Sequence, residues 1–366
     1  MKLLYITNGI HGSGGLERVL SIKASYLASH YDYDVTILTL NSGNKDLFYN
    51  FDDRINFYNI NASGNALRYF LSYRNGIKKA LKEIEPDIVS VCDDGLKGML
   101  FPILFSRKTP VIYERHAPKL ATTSSPKRSF FKTIKTYLIN RLMNFGGDKF
   151  DKFIVLTKGN LTEWNLNNLK VIPNPLPFEI DETYMLENKK VLVVGKQSYQ
   201  KGYDMLLSIW SIVQQKHTDW KLEVYGKLDA TLGLEKMLEE LNLKDTVSFF
   251  PPTKNIIDKY KEASIYCMTS RFEGFGMVLI EAMSFGLPCV SFDCPFGPAD
   301  IITNNEDGFL VENGNHELFA SKLSQLIADK ELRVCFGVAA KKNVEKYDVH
   351  SVAAQWDGLF KKLVLR

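Results

Sequence analysis

Ser270-Arg271-Phe272-Glu273-Gly274-Phe275-Gly276-Met277-Val278-Leu279-Ile280-Glu281-Ala282-Met283 carries two glutamates with seven residues between them. An apolar run, Ile265 to Met268, leads straight into it and reads as a strand. The glycines bracket a loop, and the loop opens a helix. One acid therefore stands in the loop and the other about two turns into the helix. The helix start between them offers free backbone N–H groups and a partial positive charge, which suits an anion such as a diphosphate. Carboxylates accept hydrogen bonds from hydroxyls and do not hold phosphates. Hydroxyls and phosphate at one site describe a nucleotide sugar.

Short apolar runs alternate with helical patterns along the whole chain, the signature of α/β layers with parallel sheets. In the first half the runs are Leu3–Thr7, Val35–Leu40, Ile88–Cys92, Val111–Glu114 and Phe153–Thr157. Helical patterns cover Leu16–Ser29, Ala66–Ile84, Gly95–Phe105 and Ser129–Phe145. Pro173, Pro175 and Pro177 then end regular structure and mark a stiff linker. The pattern restarts with strands at Lys190–Val194, Leu222–Tyr225, Val247–Phe250, Ile265–Met268 and Cys289–Phe292. Its helices are Tyr203–Gln215, Leu234–Leu241, Ile256–Ala263, Gly276–Phe285 and His316–Ala328. The last segment, Val349 to Arg366, sets Val352, Trp356, Leu359, Phe360 and Leu363 on one helical face. The predicted organisation is an N-terminal Rossmann-like domain at 1–172, a Pro-rich linker at 173–189, a second Rossmann-like domain at 190–348 and a final helix at 349–366.

A chain of 366 residues is long for one core, which agrees with two domains. Hydrophobic residues make up 45% and aromatics 12%, which excludes a disordered chain. A net charge of +4 is mild and does not call for nucleic acid. The five cysteines, Cys92, Cys267, Cys289, Cys294 and Cys335, form no CxxC pair. Cys92 and Cys267 fall in apolar runs and read as buried free thiols, which fits a reducing compartment. Met1 to Thr7 is a strand and not a secretion signal, and no run is long enough to span a membrane. The expected location is the cytoplasm, with any membrane contact peripheral and at the inner face.

Three further stretches could carry chemistry. Asn8-Gly9-Ile10-His11-Gly12-Ser13-Gly14-Gly15-Leu16-Glu17-Arg18 follows the first strand, and its four glycines let backbone approach a ligand closely. It is not a regular dinucleotide fingerprint. Val194-Gly195-Lys196-Gln197-Ser198-Tyr199-Gln200-Lys201-Gly202 begins where the first strand of the second half ends, which is where open α/β sheets bind ligands. Its two lysines can neutralise charge on a departing diphosphate. Tyr113-Glu114-Arg115-His116-Ala117-Pro118 puts a histidine at a strand end.

Together these motifs resemble the retaining, nucleotide-sugar-dependent glycosyltransferases of family 4, which have the GT-B fold. The likeness runs in order through the Gly-Gly-x-Glu-Arg loop, the central histidine, the lysine pair, the paired glutamates and the C-terminal helix. It implies two Rossmann-like domains facing a central cleft, with the last helix crossing back to the first domain. It implies catalytic roles for His116, Glu273 and Lys201, His116 acting by polar positioning near the donor sugar. Donor diphosphate would be held by Gly14, Gly15, Lys196, Lys201, Gly274, Phe275 and Gly276, and ribose by Glu281. Lys196 departs from the family's arginine, which keeps the charge and loses the bidentate fork. Ser291 to Ile302 resembles the family's Asp-Cys-Pro-x-Gly-Pro run, with Asp300 in place of glutamate, and reads as scaffolding behind the donor site.

The implied reaction moves a hexose or N-acetylhexosamine from a nucleotide sugar, UDP favoured, to a hydroxyl of a cell-surface glycan precursor, lipid-linked acceptors included. Closure about the proline linker would exclude water from it. Asp93-Asp94 at a strand end suggests a carboxylate–magnesium site, but the likeness implies metal-independent transfer with no cofactor. Lys119, Lys127, Arg128, Lys132, Lys135 and Arg141 flank a helix whose other face offers Phe131, Ile134, Leu138 and Leu142. Such a helix can lie on an anionic membrane or pack into a core. A sugar-nucleotide epimerase of similar build and a non-catalytic nucleotide- or glycan-binding protein stay open as alternatives. A dinucleotide oxidoreductase is disfavoured, since Leu38-Thr39-Leu40-Asn41 lacks the acid expected after the second strand.

Overall fold

The structure, a computed structural model, describes residues 1–43, 45–93, 95–105, 109–119, 130–177 and 184–365. The side chains of 130–133 and 135 lie outside that description. Two compact units emerge, Met1–Pro177 with Val349–Arg366, and Phe178–Asp348.

The strands of the first unit are β1 (Lys2–Ile6), β2 (Asp34–Leu40), β3 (Asn56–Ile60), β4 (Ile88–Val91), β5 (Val111–Glu114), β6 (Lys152–Val155) and β7 (Leu169–Val171). They form one parallel sheet in the order β3-β2-β1-β4-β5-β6-β7. Successive strand residues point to opposite faces. Leu3 and Tyr5 accordingly join one core, with Leu20, Leu27, Val352, Trp356 and Phe360. Leu4 and Ile6 join the other, with Tyr73, Ile77, Met143 and Phe153. A sheet covered on both faces needs strands that are largely apolar, which is why β1, β4 and β5 read as apolar runs, interrupted by Ser90 in β4 and ended by Glu114 in β5.

The second unit repeats the arrangement with β8 (Lys190–Val194), β9 (Lys221–Tyr225), β10 (Val247–Phe250), β11 (Ile265–Met268), β12 (Cys289–Asp293) and β13 (Gly308–Glu312). All pairs are parallel, in the order β10-β9-β8-β11-β12-β13. Val191, Val193, Leu222 and Val224 pack under Leu206, Trp210 and Leu323. Both sheets reverse their winding beside their first strand, between β1 and β4 and between β8 and β11.

The final helix, Val349–Val364, belongs to the first unit. Its buried stripe is Val352, Trp356, Leu359, Phe360 and Leu363, and Asp357 Oδ1 accepts from the Tyr33 hydroxyl at 2.8 Å. The proline segment also belongs to the first unit as far as Pro177. Asn174 and Leu176 within it are buried, so this part is packed chain and not a free linker. Residues 178–183 of the expected linker lie outside the described residues.

Some elements differ from the sequence reading. The single helix expected over Gly95–Phe105 is two short ones, Leu96–Met99 and Phe101–Leu104. Pro102 lacks an N–H and its ring crowds the carbonyl one turn back, so it can only open a new helix. Strands β3, β7 and β13 and the helix Lys330–Val344 were not foreseen. That helix buries Arg333, Phe336, Gly337 and Ala340. A Cβ on Gly337 would stand 2.2 Å from the Gly286 carbonyl oxygen, so contact is made by backbone and small residues, which leave a weak apolar signature.

Candidate functional site

In the second unit, the chain leaving β8 and the chain leaving β11 are stitched together at the winding reversal. Gly202 has φ 63°, and a Cβ there would stand 2.2 Å from the Thr269 carbonyl oxygen. Arg271 N–H donates to the Gln200 carbonyl at 2.7 Å, and Gln200 Nε2 donates to the Phe272 carbonyl at 3.0 Å. This registry brings Lys201 to Glu273. The Lys201 ammonium donates to Glu273 Oε1 at 2.7 Å, and the Ser270 hydroxyl donates to the same oxygen at 2.6 Å. Among the described residues neither Oε2 of Glu273 nor the Lys196 ammonium is engaged in this set, and Lys196 is exposed.

The loop continues through Gly274 and Phe275 to Gly276, which has φ 99° and precedes the helix Met277–Ser284 without a side-chain cap. Its backbone is braced from behind. Glu273 N–H donates to the Pro295 carbonyl at 2.9 Å. A Cβ on Gly297 would stand 2.0 Å from the Phe275 carbonyl oxygen. Phe296 is held at φ 73°, a conformation bulky residues avoid. The Cys294-to-Pro298 loop is thus the support of the Glu273 loop, and burial pushes the Cys294 thiol up. Glu281 is only 2% exposed, and its Oε2 accepts from the Tyr260 hydroxyl at 2.8 Å. It lies deeper in the unit than Glu273.

In the first unit, a cavity of about 460 Å³ opens past the carboxyl ends of β1, β2 and β4. Asn8, His11, Glu17, Asn41, Ser42 and Lys45 give it a polar lining. Gly9 and Gly12 line it, whereas Gly14 caps and Gly15 begins the helix Gly15–His30. The Glu17 carboxylate fills the space beside Gly14, where a Cβ would meet its Oε2 at 2.5 Å, while Gly15 has open space. Asp93 takes Asn8 Nδ2 at 2.7 Å and Gly95 N–H at 2.8 Å, with the Lys97 ammonium 3.5 Å away. It ties β1 to β4 through these contacts. Asp94 lies outside the described residues.

His116 closes this list, and it stands on a charge cluster that the sequence reading missed. Glu114, at the end of β5, is 1% exposed. Its Oε1 accepts from the Ser90 hydroxyl at 2.5 Å. Its Oε2 accepts from the Lys23 ammonium and meets His116 Nε2 at 3.2 Å. Lys23 is 1% exposed, with its ammonium 4.0 Å from the Trp356 ring centre and 5.0 Å from that of Tyr5. Cys92, Glu114 and His116 place ligand-type atoms within 4.8 Å of one another. Lys23 already supplies a cation there, its ammonium on Oε2 of that carboxylate. One signal was available in the sequence: Lys23 falls on the apolar face of its helix and Glu114 ends an apolar strand, and such charges are seldom buried unpaired.

Residues 181–343 match the family model of glycosyl transferases group 1, and residues 14–146 match that of glycosyl transferase 4-like proteins. The amylovoran biosynthesis glycosyltransferase AmsD of Erwinia amylovora is 32% identical, over 98% of this chain and 99% of that one. A structure of S. aureus TarM, solved with fondaparinux, α-GlcNAc-glycerol and UDP, superposes with a TM-score of 0.76 at 19% identity, covering 98% of this chain and 100% of that one. Anabaena HepE in complex with UDP-glucose gives 0.79 at 17% identity, over 99% and 100%. At those identities the two structures speak to the fold alone.

Burial alone would raise the Glu114 carboxyl, but Lys23 and His116 overcome that and hold it down at about 2, against an ordinary 4.5. The folded value lies below the unfolded one. The pair therefore stabilises the fold fully above about pH 4.5, and this contribution is lost as the pH falls toward about 2. Between about pH 6 and about pH 3 the melting temperature of the wild type should fall further than that of the double variant Lys23→Met/Glu114→Gln. Equal falls would mean that the pair contributes nothing to acid sensitivity.

Proposed function

The chain belongs to the group 1, family 4-like glycosyltransferases of GT-B fold, and from that premise we propose that it is a retaining, metal-independent hexosyltransferase. It takes a UDP-sugar as donor and the hydroxyl of a cell-surface glycan precursor as acceptor. The observation that carries this reading is the carboxylate of Glu273. Lys201 and Ser270 both bind Oε1, so the carboxylate is fixed while Oε2 remains to accept a sugar hydroxyl. Relatives support the substrate classes: AmsD is named for amylovoran biosynthesis, TarM was solved with UDP and a GlcNAc-glycerol, and HepE with UDP-glucose.

In this reading Lys201, Lys196 and the uncapped start of the helix Met277–Ser284 receive the diphosphate, with Gly274, Phe275 and Gly276 shaping the approach. Lys201 is 19% exposed, so it can reach a phosphate while staying beside Glu273. Charge leaving with the nucleoside diphosphate is then met by fixed cations and N–H dipoles, the chemistry a metal would otherwise supply. Glu281 serves the ribose, and its burial suits a group shielded once the nucleoside is seated. His116 positions sugar hydroxyls. The polar cavity of the first unit takes acceptor hydroxyls, for which amide, hydroxyl and carboxylate side chains are apt partners.

A peripheral contact with an anionic membrane completes the proposal. The helix Phe130–Gly147 turns Met143 into the core but leaves Ile134, Tyr137, Leu138, Leu142 and Phe145 exposed. Lys127 and Arg128, which the sequence reading placed beside it, lie outside the described residues, as do the side chains of Phe131, Lys132 and Lys135. A second helix, Ala66–Ile84, exposes Leu67, Phe70 and Leu71 on the face that carries Arg74 and Lys78. Apolar faces bordered by lysine and arginine suit the headgroup region. No helix among the described residues is long and apolar enough to cross a membrane.

Calorimetric titration with UDP, GDP, ADP and NAD should show tight binding of UDP. A charge-assisted contact is worth about 1.5–3 kcal/mol, so Lys201→Ala should weaken UDP about 10- to 100-fold. Absence of diphosphate binding by folded protein would favour a glycan-binding role, and turnover of a UDP-sugar without any acceptor would favour an epimerase. Turnover should survive EDTA, and loss of activity that magnesium restores would overturn metal independence. Co-sedimentation should favour vesicles containing phosphatidylglycerol over pure phosphatidylcholine, the more so at low salt. Equal binding to both would remove the electrostatic case for membrane contact.

A further inference from the structure

We infer that Glu114 is a positioning residue for His116: clamped by Lys23 and Ser90, its carboxylate accepts from His116 Nε2–H and fixes the tautomer whose Nδ1 carries no proton. The inference rests on the role proposed above for His116 and names the group that makes that role chemically definite.

A neutral imidazole ring carries one N–H and one lone pair, and they exchange places between tautomers. A hydroxyl partner can adapt to either, because it both donates and accepts. An ionised carboxylate cannot, because it only accepts. Glu114 Oε2 lies 3.2 Å from His116 Nε2, so that nitrogen must hold the proton and Nδ1 the lone pair. Nδ1 is then an acceptor for a sugar hydroxyl. The opposite tautomer would present N–H at Nδ1 and set two lone pairs against each other at Glu114.

This demands a carboxylate that neither protonates nor swings. Each oxygen of Glu114 has its own protein donor, Ser90 on Oε1 and Lys23 on Oε2. Lys23 is fixed in turn. Its stem crosses the core, and its ammonium lies over the rings of Trp356 and Tyr5, which attract a cation through their faces. Trp356 comes from the last helix. The order of a single proton on His116 is thereby anchored through Glu114 and Lys23 to the C-terminal helix. A glutamine at 114 would lose this selectivity, because its amide can turn either its oxygen or its NH₂ group toward Nε2.

Glu114→Gln alone leaves Lys23 as an unmatched buried charge and can fail to fold. The test therefore uses Lys23→Met/Glu114→Gln, which removes both charges, alongside His116→Gln. The ¹⁵N spectra of histidine-labelled protein report the tautomer directly, and the His116 signals among the six histidines are assigned by their loss in His116→Gln. Wild type should show protonated Nε2 and bare Nδ1. The folded double variant should show a mixture of tautomers, with kcat down roughly tenfold or more and KM for the donor within about twofold. A double variant that keeps the wild-type tautomer overturns the positioning role. A changed tautomer with unchanged kcat leaves the positioning in place and overturns the role of His116 in transfer.

Discussion

Parallel strands cannot be joined by short turns. Each pair needs a crossover, and a right-handed one, so a chain can grow a sheet in one direction only. To cover both faces, it must return to its first strand and grow the other way. Both units do this, and the reversal falls beside β1 in one and beside β8 in the other. At that place neighbouring loops leave in opposite directions and leave a crevice at the carboxyl edge. The features with chemistry in them gather there: Asn8, Asp93 and the polar cavity past β1 and β4, and Lys201, Ser270 and Glu273 past β8 and β11. Their meeting is a result of winding, and side-chain type then decides what the crevice can bind.

The second constraint is the cost of burying charge. Lys23 and Glu114 are each about as buried as a core leucine. Desolvating such a pair costs several kcal/mol per ion, and an apolar replacement is often no less stable. Stability alone is thus a weak reason for the pair to be there. The surroundings recover part of the cost through the Ser90 hydroxyl and the Trp356 and Tyr5 rings. What an apolar pair could not supply is a permanent acceptor beneath His116.

Legibility from sequence followed burial. Strands in the middle of the sheets, β1, β4, β5, β8, β11 and β12, are buried on both faces and along both edges, and their apolar runs were readable. The three strands that escaped, β3, β7 and β13, are all sheet edges. β3 exposes most of its five residues, and β7 is three residues long. An edge has one neighbour and more solvent, so polar residues such as Asn56 and Asn59 dilute its pattern. The loops at the second unit's crevice were readable because glycine is required where backbone meets backbone, as at Gly202 and Gly297. The Lys23–Glu114 contact spans 91 positions, and no local pattern relates them. Only the fold, which lays the Gly15–His30 helix across the sheet, makes them partners.

The same three side-chain types recur in both units, and their exposure separates two uses. Lys23, Ser90 and Glu114 form one set, and Lys201, Ser270 and Glu273 the other. In the first, the lysine is 1% exposed and its cation is enclosed by rings, so no solute can compete for it. In the second, the lysine is 19% exposed, and both protein donors crowd one oxygen of the carboxylate. On the reading proposed above, an arriving phosphate can share that cation from the lysine's exposed side while Glu273 stays in place. The first set is therefore a fixed support and the second an exchangeable one. A carboxylate that must accept a substrate hydroxyl needs a partner that holds it in place and can still attend to the leaving group, and only a partly exposed lysine satisfies both demands.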